Sequence, residues 1–251
     1  MQENMDIYDG NTGYVYSDEK ERREHKQQKA EKVERDGASF AVKTYGFMAG
    51  GLITSFAVAL VTSVFFPATM FDYEFYLAVM IGELVVAMIF AFTFTKLSPV
   101  ATGVLFFVYA ILTGITLSIF TVGFGFKTFY LAFGITGAMF LALTIVGLIT
   151  KKDTSRIGPT LSVMLIALAI TSVLAFIIGG VLEMIVCAVG VILFGAVTVY
   201  DTKKVRQFAS YAMTTSDESK YAIYSAMQLY LDYINILLYL IRILGFFNRR
   251  R

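Results

Sequence analysis

Seven apolar runs, at about 44–66, 73–95, 99–122, 128–149, 160–178, 181–200 and 221–245, dominate the chain. Each is close to the roughly 20 residues that carry an α-helix through a bilayer core. Backbone groups in hydrocarbon must be satisfied within their own segment, so runs of this length, repeated with short connections, predict an all-α polytopic bundle of seven transmembrane helices. The three prolines agree with these limits: Pro67 follows the first run, while Pro99 and Pro159 open the third and fifth, where a missing N–H is harmless. Gly179-Gly180 marks the turn between runs five and six, and Gly46 and Gly50, in small-xxx-small spacing, offer the first span a place of close approach.

The last run differs from the others. Within Tyr221 to Phe247, the residues Ser225, Gln228, Asp232, Asn235, Tyr239 and Arg242 recur at alternating intervals of three and four, which places them in one helical stripe. A carboxylate near mid-membrane costs several kcal/mol, so such a face turns to a bundle interior or to water. The expectation is a central last helix, wrapped by the others, with Asp232 in the functional site and Gln228, Asn235, Tyr239 and Arg242 as its polar support.

Charge sets the rest of the frame. Of 21 Lys/Arg and 19 Asp/Glu, residues 1–43 hold 8 and 10, leaving 13 and 9 for the remainder. That division reads as a charged tail, disordered or loosely helical, over 1–43 and a membrane domain over 44–251. No net basic character suggests nucleic acid. Connections after the even-numbered runs carry Lys96, then Lys151, Lys152 and Arg156, then Lys203, Lys204, Arg206 and Lys220, whereas the odd connections carry Lys127 at most. Positive residues mark the cytoplasmic side, so the expectation is a cytoplasmic N-terminus. The terminal Arg249-Arg250-Arg251 then falls outside, against the rule, unless the last segment enters and returns; its length favours a full crossing. The first residues show no short apolar segment with a cleavage site, so no removable signal peptide is expected.

Residue types exclude several chemistries. A single histidine, His25 in the tail, rules out a Ser-His dyad or a multi-histidine metal site in the bundle, and a single cysteine, Cys187, rules out an internal disulfide. Run seven has no lysine for a retinal Schiff base, and Asp232 lacks the GxGD setting of intramembrane aspartyl proteases. The reading is of a protein that is not an enzyme and carries no cofactor.

The ionisable residues within or at the ends of spans are Glu83, Glu183, Asp201, Asp232 and Arg242. Asp201 closes run six, and Asp232 lies about 18 Å of helix rise into run seven. If the two helices are neighbours, the carboxylates meet in the cytoplasmic half. Two carboxylates in a poorly hydrated site do not both ionise cheaply and so share a proton, while their oxygens suit Ca²⁺. The competing reading makes Asp201 an interfacial residue beside Lys203 and Lys204, and pairs Asp232 with Arg242 or Asn235. Glu83, mid-span in VMIGELVVAMIF, is either protonated or turned inward.

The stretches LTGITLSIF (112–120), FGAVTVYDTKK (194–204) and LYLDYINILLYLIRILG (229–245), with IGELVVAMI (81–89), resemble the signatures of the Bax inhibitor family, bacterial type, from about residue 44 to 247. The resemblance implies a seven-helix bundle with the last helix at its centre and a pH-sensitive Ca²⁺ leak gated by a proton-linked pair, Asp201 and Asp232. It also implies a second-helix arginine that latches the first aspartate; here FTFTKLSP offers only Lys96, so Lys96 and Glu83 stand as latch or pore residues. Its expected partners are the lipid bilayer, calcium, protons and other membrane proteins, in a bacterial cytoplasmic membrane. The alternative function is a membrane-embedded regulator of a protease or stress response, working through its charged tail without ion flux.

Overall fold

The computed structural model describes residues 7–8, 15–16, 19–66, 73–150, 157–212 and 218–249. Seven helices follow a two-residue antiparallel ladder of β1 (Ile7–Tyr8) and β2 (Val15–Tyr16): α1 (Glu19–Phe65), α2 (Tyr73–Thr93), α3 (Pro99–Phe124), α4 (Phe126–Ile149), α5 (Gly158–Ile178), α6 (Gly180–Ala212) and α7 (Glu218–Arg249). All seven contain a segment long and apolar enough to cross a membrane. The protein is an integral membrane helical bundle.

Helix limits follow local chemistry. Ser98 caps α3, its Oγ accepting from the Ala101 N–H at 3.2 Å, and Pro99 occupies the first turn. Gly125 alone separates α3 from α4, with φ +83°, and Gly179 and Gly180 turn α5 into α6 at φ +70° and +68°. Glycine holds such a backbone without the steric penalty of a Cβ. Pro67, Lys151, Lys152, Arg156, Arg250 and Arg251 lie outside the described residues.

Two helices overrun their apolar runs. α6 continues a dozen residues past Tyr200 because TKKVRQFASYA has no breaker and keeps Val205 and Ala209 buried at helical spacing. α1 starts at Glu19, so residues 19–43 and the first span share one helix; the segment lacks proline, and Glu31 and Arg35 are four apart with the favourable polarity. Lys43 then pairs with Glu218 at 2.9 Å, fixing α1 to the start of α7.

α7 is the axis. More than half of its span, 56 %, is buried, against 11–33 % for the others, and it packs against α1, α3, α4 and α6. α2 packs chiefly on α3, and α5 on α6, at the periphery. α7 runs unbroken to Arg249, without the break at which a segment that enters and returns would turn back.

Close approach of helices falls elsewhere than at the Gly46/Gly50 pair. Nothing stands within 4 Å of a Cβ built at Gly46, whereas one at Gly51 would lie 2.5 Å from the Phe106 ring. The seam is sealed by Tyr230, whose hydroxyl meets Ser55 Oγ at 2.6 Å, while Ser55 also reaches the Ala110 carbonyl at 2.7 Å. On α3, a Cβ at Gly114 would stand 2.7 Å from the Ser55 carbonyl oxygen.

Candidate functional site: a buried carboxylate pair

The stripe expected on α7 divides into two lines, each of period seven. Ser225, Asp232 and Tyr239 are buried, at 1, 4 and 8 % exposure, while Gln228, Asn235 and Arg242 are half-buried. The division arises because alternating steps of three and four cover an arc wider than one contact surface, so the neighbouring helices close over one edge only. On the half-buried line Gln228 Nε2 donates to the Tyr224 hydroxyl at 3.5 Å, and Asn235 Nδ2 donates to the Leu231 carbonyl at 2.7 Å. Tyr239 meets Ser172 Oγ at 3.0 Å across to α5. Arg242 lies between the rings of Phe120 and Phe176, 6.0 and 5.9 Å from their centroids, a cation–π clamp joining α3, α7 and α5.

Neither Arg242 nor Asn235 therefore neutralises Asp232. Asn235 is bonded to its own helix, and Arg242 is ten residues, about 15 Å of rise, further along α7. Asp201, on the facing helix α6, is also buried, and the two carboxylates act on each other electrostatically. Lys204, one turn from Asp201, is the cation felt by both. Among the described residues no salt bridge is formed by either aspartate. One oxygen of the pair, Asp232 Oδ2, is buried without a hydrogen-bond partner.

Several buried hydroxyls of the helices that carry or adjoin the pair share that property. Many membrane Ser and Thr side chains here donate to the carbonyl four residues back, as Thr54, Ser63, Thr121, Thr136, Thr171 and Thr198 do. Thr202, beside Asp201, does not, nor do Thr144 on α4, Thr44 on α1 and Ser225 on α7; all four are buried and unpartnered. Tyr45 on α1 turns its hydroxyl toward Thr144 and Thr202 without completing a hydrogen bond. α4 comes close enough for this because Gly147 abuts Thr202: a Cβ there would stand 2.8 Å from the threonine Cβ. Tyr45 of α1, Thr144 of α4 and Thr202 of α6 thus bring hydroxyls together beside Asp201, whose partner carboxylate comes from α7.

An apolar cavity of about 400 Å³ reaches this region from the side, lined by Tyr45, Met48, Leu52, Phe140 and Tyr233 among others. Ile53 and Leu141, each about two-thirds exposed, mark its mouth. Tyr233 contributes no free hydroxyl to it, since its OH donates to the Phe133 carbonyl at 2.9 Å.

The α2 candidates lie apart from the pair. Lys96 is exposed in the turn after α2 and forms no ion pair with either aspartate. The end of α2 is held to α7 by other means: Lys220 Nζ donates to the Thr95 carbonyl at 3.3 Å, and Tyr224 stacks on Phe94 with centroids 4.1 Å apart. Tyr224 also lies in the field of Asp201. Glu83 stands against Thr113 and Thr116 of α3, within the field of Tyr230 of α7, with Oε1 buried and unpartnered. Sequence reasoning singled out Asp201 and Asp232, which the fold brings into each other's field, and did not single out Tyr45 and Thr144, whose residue types are too common in membrane helices to stand out.

Comparison with known proteins agrees with this architecture. The family model described as inhibitor of apoptosis-promoting Bax1 matches residues 37–249. Inner membrane protein YbhL of Escherichia coli (strain K12) is 34% identical over 218 residues, covering 84% of this chain and 92% of the relative. An uncharacterized protein of Rickettsia prowazekii is 31% identical over 216 residues, covering 84% and 90%. An uncharacterized membrane protein of Streptococcus pyogenes serotype M3 is 30% identical over 172 residues, covering 68% and 74%. The family match spans every membrane helix, including the Asp201 and Asp232 segments: the chain belongs to the Bax inhibitor family of membrane proteins.

Proposed function

We propose that this protein is a proton-gated leak for calcium or similar cations, lodged in a bacterial cytoplasmic membrane with its N-terminus on the cytoplasmic side. The observation that carries the reading is the burial of Asp201 and Asp232 within each other's field, with an unpartnered carboxylate oxygen and no ion-paired neighbour. A pair so placed is stable when it holds a proton between its members and strained when it does not. α6 and α7 form the most extensive interface of the bundle, so the charge state of the pair bears directly on how tightly that interface closes.

With the proton bound, one neutral carboxyl donates to its ionised neighbour and the helices stay together. Loss of the proton leaves two negative charges facing each other, opposed only by Lys204. Repulsion then loosens the end of the bundle that carries the basic connections, and the carboxylates with Thr202, Thr144 and Tyr45 present hard oxygen ligands to an entering cation. No metal enters this account as a resident group; calcium is cargo. The orientation follows from Lys203, Lys204 and Lys220 at one end of the helices.

The test is Ca²⁺ entry into proteoliposomes holding the purified protein, scanned from about pH 6 to 8. Flux that rises with pH supports the reading. Entry no faster than into empty liposomes at every pH sinks it.

A further inference from the structure

α1 and α4 both pack on α7, yet they do not close over it along their whole length. Toward Gly125 they are joined by Phe56, whose ring lies 5.8 and 4.8 Å from those of Phe129 and Phe133. Beyond that cluster the cavity of about 400 Å³ opens between them, with Tyr233 of α7 as its floor and Met48, Leu52 and Phe140 in its walls. Gly137 widens it: a Cβ there would meet only the Tyr233 hydroxyl, at 3.7 Å.

The lining decides what can fill this space. A buried water needs two to four polar partners, and an apolar cavity without them stays dry. Here the Tyr233 hydroxyl is taken by the Phe133 carbonyl at 2.9 Å, which leaves Tyr45 as the one lining side chain with a hydroxyl to offer. Left empty, the cavity would forfeit the dispersion contacts of its walls. A single turn of a partner helix, about 10 Å across and about 5.4 Å long, would alone take on the order of 400 Å³, so no helix can seat along the cleft. A hydrocarbon chain is thinner. An apolar cavity of about 150 Å³ admits benzene, and on that scale this one admits roughly a dozen or more chain carbons.

The mouth faces a supply of such chains. Its exposed edge residue Leu141 lies eight positions, about 12 Å of rise, before the end of α4 at Ile149, and Ile53 lies ten positions, about 15 Å, beyond Lys43. Half of a bilayer's hydrocarbon is about 15 Å deep, so the cavity opens among the acyl chains of the half nearer the basic connections. Gly137, Leu141, Thr144 and Leu148 follow steps of four, three and four, one stripe of α4 that leads from the cavity to the helix end. There the exposed Arg206 donates to the Leu148 carbonyl at 3.0 Å, which sets a cation where a lipid phosphate would stand with its chain hanging inward. We propose that the cleft between α1 and α4 is a binding site for one acyl chain of a phospholipid from that leaflet, independent of whether the protein leaks calcium.

The chain has no tryptophan, so a single one placed in the cavity wall is an unmixed fluorescent reporter. The experiment reconstitutes full-length Phe140→Trp in phosphatidylcholine vesicles whose acyl chains either carry bromine at mid-chain or do not, since bromine quenches tryptophan only at close range. Leu141→Trp, at the exposed mouth, gauges quenching by the surrounding lipid. Phe140 is only 5 % exposed, yet the expected result is quenching at 140 close to that at 141, lost when Gly137→Phe is added to fill the cavity, while quenching at 141 persists. Met48→Trp and Gly137→Leu stand in where either variant fails to fold. Quenching at 141 without quenching at 140 overturns the site, and so does quenching at 140 that the filled cavity retains. Quenching at 140 that falls as the protein is crowded in the vesicle assigns the cleft to a second copy and overturns it too.

Discussion

Replacing Asp232 by asparagine keeps the shape of the side chain and removes the charge on which the proposed gate depends. Asp232 is 4 % exposed and its Oδ2 has no partner, so the amide enters a space already shaped for it and can donate toward Asp201. The substitution therefore imitates the proton-bound pair. Its size can be set from proton counting. One proton shared by two carboxylates couples to opening at no more than about 1.4 kcal/mol per pH unit, a tenfold change in the open population. Between about pH 6 and 8 the wild type should change by at most about 100-fold, rising with pH because the proton stabilises the closed interface. Asp232→Asn, and equally Asp201→Asn, should give a flat profile at the acid-side level. The assay is the initial rate of Ca²⁺ entry into dye-loaded proteoliposomes, each variant at matched protein content. A variant that keeps a tenfold-per-unit rise refutes the shared-proton gate, and a wild-type slope well above tenfold requires a second titrating site.

Four further outcomes follow from the same geometry. Lys204→Gln removes the cation felt by both aspartates, so the rise in flux should move to more alkaline pH, a shift visible in the same scan. Gly114→Ala drives a methyl to within 2.7 Å of the Ser55 carbonyl, where backbone cannot yield cheaply, and should destabilise by about 1–3 kcal/mol; Gly134→Ala meets nothing within 4 Å and should stabilise α4 by up to about 1 kcal/mol. Opposite shifts in melting temperature check the two together. Tyr230→Phe deletes the buried hydroxyl at 2.6 Å from Ser55 and should cost about 1–2 kcal/mol, read from the same melts. Removing residues 1–34 should leave Ca²⁺ flux intact, since the pair lies wholly among membrane helices; loss of flux on truncation would favour the tail-dependent regulatory reading.

Hydrophobic run length made the seven spans legible, and Pro99 and Gly179-Gly180 marked their limits, because insertion into hydrocarbon leaves the sequence few alternatives. The overrun of α1 and α6 was less visible: both extensions are rich in charged residues, and there helix formation depends on spacing and on the absence of breakers. Asp201 and Asp232 were readable because a charge in an apolar run is conspicuous. Their company was not, since Thr144 and Tyr45 come from helices far apart in the chain and matter through the hydrogen bonds they lack. The α7 stripe was correctly seen as polar, yet its division into a buried and a half-buried line depends on which neighbours cover each edge. Lys96 drew notice as a latch only through resemblance, and the structure gives the fastening of α2 to Lys220 and the Phe94–Tyr224 stack instead.

The one-residue connection at Gly125 and the Gly179-Gly180 turn also set the mechanics of the bundle. Both lie at the end away from the basic connections, and neither has slack to lengthen. α3 with α4, and α5 with α6, are thus pinned at that end like the arms of tweezers. A helix of 24 residues is about 36 Å long, so a tilt of 5° about its pinned end displaces the other by about 3 Å. Movements too small to disturb the pinned end would then suffice for the proposed leak to admit a dehydrated ion at the free one, the end where Asp201 and Lys204 stand.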